Sequence, residues 1–139
     1  MHKLPTDKFE IVIGLPYDEF VNGRRESNVN KMIDKWQEYA KEYFDNTGVY
    51  VSAIANEGKA VYDLDWGCPL HGERVITFNC TANRAFIDTG SKLELYRKGI
   101  FYITKKLKKD FEQHTITITQ IPANVFYLTD ENEEEEVDV

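Results

Sequence analysis

The chain has 139 residues, of which 42% are apolar and 13% aromatic, a composition that suits one globular domain and excludes a disordered or collagen-like chain. Two cysteines are too few for a disulfide framework, no apolar run reaches the length of a membrane span, and Met1-His2-Lys3-Leu4-Pro5 carries no apolar signal-peptide core, so a cytoplasmic setting is expected. The net charge of −7 lies entirely in residues 130–139, whose seven acidic residues face no base, so residues 1–129 are expected to form a charge-balanced domain and 130–139 a disordered acidic tail.

Phe9, Ile11, Ile13 and Leu15 alternate with more polar neighbours, which predicts a strand over 8–15 ended by Pro16. After a polar loop through Asn22-Gly23-Arg24-Arg25, apolar residues recur at Val29, Met32, Ile33, Trp36, Tyr39, Ala40, Tyr43 and Phe44. That spacing of three and four is an amphipathic helix, with Ser27 as its N-cap and Gly48 as its stop. Residues 49–54, rich in β-branched side chains, read as an interior strand. Turn chemistry at Asn56-Glu57-Gly58 then leads into a second strand with Ala60, Tyr62, Leu64 and Trp66 on one face. On that reading Asp63 and Asp65 share the other, wet face.

A loop through Gly67-Cys68-Pro69-Leu70-His71-Gly72-Glu73 precedes a strand in which Ile76, Phe78 and Cys80 share a face. Ser91-Lys92-Leu93-Glu94 has capping-box spacing, and Leu93, Tyr96, Ile100, Ile103, Leu107 and Phe111 extend a helix over 91–112. Gly99 sits within it at a cost of ~1 kcal/mol relative to alanine. Thr115 to Thr119 alternates strictly, Pro122-Ala123-Asn124 turns the chain, and Val125 to Leu128 forms a last short strand. The resulting order is β-α-β-β-β-α-β-β. It predicts an α+β fold, two amphipathic helices on one face of a mainly antiparallel sheet, related to the ferredoxin-like sandwich.

Three groups of residues could carry chemistry. Asp63, Asp65, Cys68, His71 and Glu73 offer carboxylates, a thiol and an imidazole within eleven residues, the donor types of a metal site or a cysteine nucleophile with its base. Cys80, in phase with core residues, is simpler as a buried side chain. Asn83, Arg84 and Ser91 lie between a strand and a helix start, where free backbone N–H groups and a guanidinium suit a small anion. Lysines along the second helix make a basic face, but no nucleic-acid signature accompanies them, and nucleic acid is not expected as a partner. H-E-x-x-H, G-x-S-x-G and glycine-rich phosphate loops are absent. These features favour a non-catalytic binding or accessory protein without a cofactor or membrane, of the kind a phage or mobile element encodes as an inhibitor or sequestering protein. It would bind a small anionic ligand or a protein partner. The 18 aromatic residues favour a homo-oligomer. The alternative is a metal-dependent or cysteine-based hydrolase using the 63–73 region.

Overall fold

The structure, a computed structural model, describes residues 2–137. Strand β1 (Leu4–Gly14) runs through the middle of a four-stranded sheet, with Phe9, Ile11 and Ile13 fully buried on its inner face. The chain then forms a short ribbon, β2 (Glu19–Val21) against β3 (Arg24–Glu26), where the sequence predicts only a polar loop. Asn22 and Gly23 join the two strands with positive φ at both positions, the tight hairpin chemistry that an Asn-Gly pair supports.

Helix α1 (Asn28–Thr47) starts and stops where expected: the Ser27 side chain accepts from the Asn30 backbone N–H, and Gly48 takes the left-handed conformation. Strand β4 (Ile54–Ala60) and strand β5 (Glu73–Thr81) pair antiparallel, with a long connection over 61–72. Helix α2 (Gly90–Asp110) buries Tyr96, Ile100, Ile103 and Leu107, and β6 (Thr117–Val125) closes the chain's regular structure. The sheet order is β4-β5-β1-β6, with β5 and β6 both antiparallel to β1. Leaving the ribbon aside, the order is β-α-β-β-α-β, the ferredoxin-like pattern.

Both helices cover one face of the sheet, as the periodicities predict. Trp36 of α1 stacks on Phe78 of β5 with ring centroids 4.4 Å apart, and Tyr96 of α2 lies 6.3 Å from Phe9 of β1. Gly99 lets α2 approach. A Cβ there would stand 2.7 Å from the Tyr43 ring and 2.8 Å from Val51 Cγ2.

Several boundaries differ from the sequence expectation. Residues 49–53 are not a strand: Val49 and Val51 are buried, but the Trp36 indole N–H donates to the Val51 carbonyl at 3.1 Å. The predicted turn at Asn56-Glu57-Gly58 lies inside β4, and the predicted strand over 60–66 is, beyond Ala60, loop with a single 3-10 turn at Leu64–Trp66. Thr89, not Ser91, caps α2 by accepting from the Lys92 N–H. The two strands predicted at 115–119 and 125–128 are one, with Pro122 tolerated because β6 is an edge strand. Beyond it, Asn132 accepts from the Thr129 N–H and donates to the Tyr127 carbonyl, forming exposed turns at the start of the acidic tail. The tail's final residues, 138 and 139, lie outside the described residues.

Candidate active site

The long β4–β5 connection makes the most chemically suggestive place in the fold. Asp63 accepts from the Asp65 N–H at 2.9 Å and caps the 3-10 turn, after which Gly67, His71 and Gly72 all take positive φ. These reversals bring the connection back against its own start: a Cβ at Gly72 would stand 3.1 Å from the Ala60 carbonyl oxygen. Between this folded connection and the segment after β1 lies a cleft of about 290 Å³, walled by Leu15, Pro16, Tyr17, Tyr62, Glu73 and Arg74, with Pro69 and the glycines 67 and 72 at its base.

Glu73 is the first residue of β5, half-buried, and lies over the backbone of Gly14, where a Cβ would meet Glu73 Oε1 at 3.2 Å. The Tyr62 hydroxyl donates to Glu73 Oε2 at 3.0 Å. That carboxylate, followed by partial burial, raises the Tyr62 phenol above its ordinary value, so Tyr62 remains a protonated donor at neutral pH. Next along β5, Arg74 donates to Glu57 Oε1 through Nε (3.1 Å) and Nη2 (2.8 Å), while its Nη1 is 3.7 Å from Asp18 Oδ1. Tyr17 on the cleft wall is 83% exposed, and the 61–72 connection carries further exposed apolar side chains, Val61, Leu64, Trp66 (79%) and Leu70.

The carboxylates, thiol and imidazole singled out in this region do not converge. Asp63 caps the 3-10 turn and Asp65 lies within it instead of the two sharing a strand face, and Trp66, expected inside, is exposed. Cys68 is buried, and its thiol faces the carbonyls of Ala60 (3.9 Å) and Pro69 (3.3 Å). His71 is exposed at a left-handed turn position. No three His, Cys, Asp or Glu side chains among the described residues are grouped to hold a metal ion. Of that set only Glu73 lines the cleft. Cys80 is in the core, where burial pushes its thiol up to about 12.

The second predicted group is also dispersed. Asn83 Oδ1 accepts from the Ala85 N–H, the Ser91 hydroxyl lies 3.4 Å from that of Thr89, and the Arg84 backbone N–H donates to the Tyr127 hydroxyl. Arg84 does line a cleft of about 410 Å³, together with Arg97 and Asp7, but Asn83 and Ser91 are not part of its wall. Its guanidinium donates to the Pro5 carbonyl at 2.6 Å, and Arg97 is paired with Asp7 and Glu94.

Sequence reasoning misses Tyr17 and Tyr62 as residues of the cleft wall. Alternation with Leu64 and Trp66 assigns Tyr62 to a core face. The signal that frees it is the spacing of Gly67 and Gly72, which marks a folded loop.

No helix among the described residues is long and apolar enough to cross a membrane. A search of curated proteins finds no match. Among solved structures, a phage SAM lyase in complex with S-methyl-5'-thioadenosine is 12% identical, with 88% of this chain and 91% of that chain covered and a TM-score of 0.47. A PII-like signaling protein from Thermus thermophilus is 11% identical over 90% of this chain and 92% of that one, with a TM-score of 0.41. The family model for SAM lyase matches residues 4–129, from the first residue of β1 to beyond the end of β6, and the chain belongs to that family.

Proposed function

We propose that this chain cleaves S-adenosylmethionine without water, releasing S-methyl-5'-thioadenosine, in the cleft between Tyr17, Tyr62 and Glu73. The observation that carries the reading is the Tyr62–Glu73 pair at 3.0 Å on the wall of a cleft shared with Leu15, Pro16 and Tyr17, in a chain of the SAM lyase family. Membership of a family named for a lyase leaves the expected non-catalytic role without support. A hydrolase is the wrong reaction type for such a family.

The substrate carries an ammonium, a carboxylate and a sulfonium. In the proposed step an oxygen of the substrate's own carboxylate attacks its γ-carbon, and the bond from that carbon to sulfur breaks with the electron pair passing to sulfur. A neutral thioether leaves, and the four-carbon fragment departs as a five-membered lactone that keeps its ammonium. No proton has to move. Because the step destroys one positive and one negative charge, removing water from both lowers its barrier. Holding the chain folded replaces an encounter with a ring closure, an effect that can reach about 7 to 11 kcal/mol in well-oriented systems.

Each wall of the cleft then has a task. Glu73 takes the ammonium and so fixes which way the substrate carboxylate points, while the Tyr62 hydroxyl fixes Glu73. Tyr17 and Tyr62 offer π-faces to the sulfonium and the adenine. Exposed aromatic and aliphatic side chains at Tyr17 and along the 61–72 connection favour a second copy of the chain as the cover that completes the exclusion of water, the homo-oligomer expected from aromatic content. Such an activity removes a methyl donor, in keeping with a small accessory protein of a phage.

The test is quantitation of S-methyl-5'-thioadenosine formed from S-adenosylmethionine. Wild type should produce it, Glu73→Gln should lose about 100-fold in kcat/KM, and Tyr62→Phe should lose less. A wild-type protein that forms no product, or a Glu73→Gln variant as fast as wild type, overturns the reading.

A further inference from the structure

Asp18 stands outside the cleft but beside everything that shapes one of its walls. Its carboxylate accepts from Arg25 Nε at 2.8 Å and from the Asn28 backbone N–H at 3.1 Å, with Arg25 Nη2 at 2.6 Å and Arg74 Nη1 at 3.7 Å. Its side chain is 8% exposed. Asn28, itself buried, donates through Nδ2 to the carbonyls of Pro16 (3.2 Å) and Tyr17 (2.5 Å). Segment 16–18 is therefore bolted at three successive residues to the start of α1, and through Asp18 also to β3 and β5. Tyr17 contributes little to its own placement, since it is 83% exposed, so these bonds to its neighbours and its carbonyl carry much of it.

We propose that Asp18 is a positioning residue, a latch that holds Tyr17 as the wall of the cleft facing Glu73. The proposal rests on the lyase reading for the identity of the substrate, but not for the existence of the latch. Loss of the latch leaves segment 16–18 held to α1 by the Asn28 side chain alone, which loosens Tyr17 and the ribbon that follows it and costs substrate binding, because Tyr17 offers a π-face to the bound molecule and makes no bond in the reaction. The effect falls on KM, while kcat is set by Glu73, Tyr62 and the substrate's own carboxylate.

The experiment is a double-mutant cycle on the full chain with S-adenosylmethionine as substrate. Asp18→Ala should raise KM about tenfold with kcat within about twofold of wild type, and Asp18→Asn, which keeps an acceptor for the Asn28 N–H, should fall between them. Tyr17→Ala should raise KM to a similar degree. The double variant should be no worse than either single one, because both remove the same contact. Additive losses, or an unchanged KM in well-folded Asp18→Ala, overturn the latch. Should Asp18→Ala not fold, Arg25→Gln replaces it: Arg25 is exposed, and its removal should raise KM about threefold and again without additivity toward Tyr17→Ala. Hydrogen exchange of the amides in 16–26 decides the matter without substrate. Faster exchange there in Asp18→Asn, with the rest of the fold unaltered, is expected; unchanged protection overturns the latch. A wild type that does not consume S-adenosylmethionine, together with faster exchange in the variant, would remove the lyase reading and leave the latch standing.

Discussion

Asp18 shows what one side chain can determine at a distance in sequence. Backbone donation from Asn28, then the Arg25 side chain, hold its carboxyl below the ordinary value of 3.8, against the opposing effect of burial. A carboxyl lowered by folding stabilises the native state above its unfolded pKa, and that contribution disappears as pH falls through the lowered folded value. The melting-temperature gap between wild type and Asp18→Asn should therefore be constant above about pH 5 and shrink below about pH 4. A gap that widens in acid would contradict the charge pairing with Arg25 and Arg74. At this scale the sequence is legible where alternation has a core to report on, as with Cys80, Phe78 and Ile76. It misleads at Trp66 and at Asp63 and Asp65, because a folded loop can mimic strand alternation for a few residues. Glu73 is visible as a candidate, but its partner Tyr62 can be recognised only once the loop closes.

Helix boundaries are nearly right in the sequence, because a period of three and four sustained over some twenty residues has few alternative explanations. Strands are less legible. The β-branched run at 49–53 looks like a strand, yet its Val51 carbonyl is taken by Trp36 and its Val51 side chain lies against Gly99. Gly99 looks like a weak point in α2 and is instead the condition for its packing. Gly99→Ala should gain about 1 kcal/mol in helix propensity and lose more, about 1 to 3 kcal/mol, from forcing Tyr43 and Val51 apart. Thermal denaturation should show a lower melting temperature. A raised one would mean that the α1–α2 contact can relax. The 61–72 connection defeats sequence reading for another reason: its shape depends on left-handed turns at Gly67, His71 and Gly72, and only the glycines announce themselves.

Across the whole molecule, balanced charge in residues 1–129 and a ferredoxin-like sandwich are both legible in the sequence, while the location of the chemistry is not. The helices bury one face of the sheet, while the β4–β5 connection leaves Val61, Leu64, Trp66 and Leu70 exposed. If a second copy covers these exposed side chains, wild type should sediment as an oligomer and Trp66→Asp as a smaller species with reduced lyase activity and a nearly unchanged melting temperature. A wild type that is monomeric at high concentration and fully active would remove the oligomer from the account. The claim on which the rest depends is cleavage without water at the Glu73 cleft. Mass spectrometry of the products formed at early times in ¹⁸O-labelled water tests it most directly. Cleavage without water gives S-methyl-5'-thioadenosine with an equal amount of unlabelled four-carbon lactone, both lost in Glu73→Gln; label in the four-carbon product from its first appearance, or no S-methyl-5'-thioadenosine at all, would contradict it.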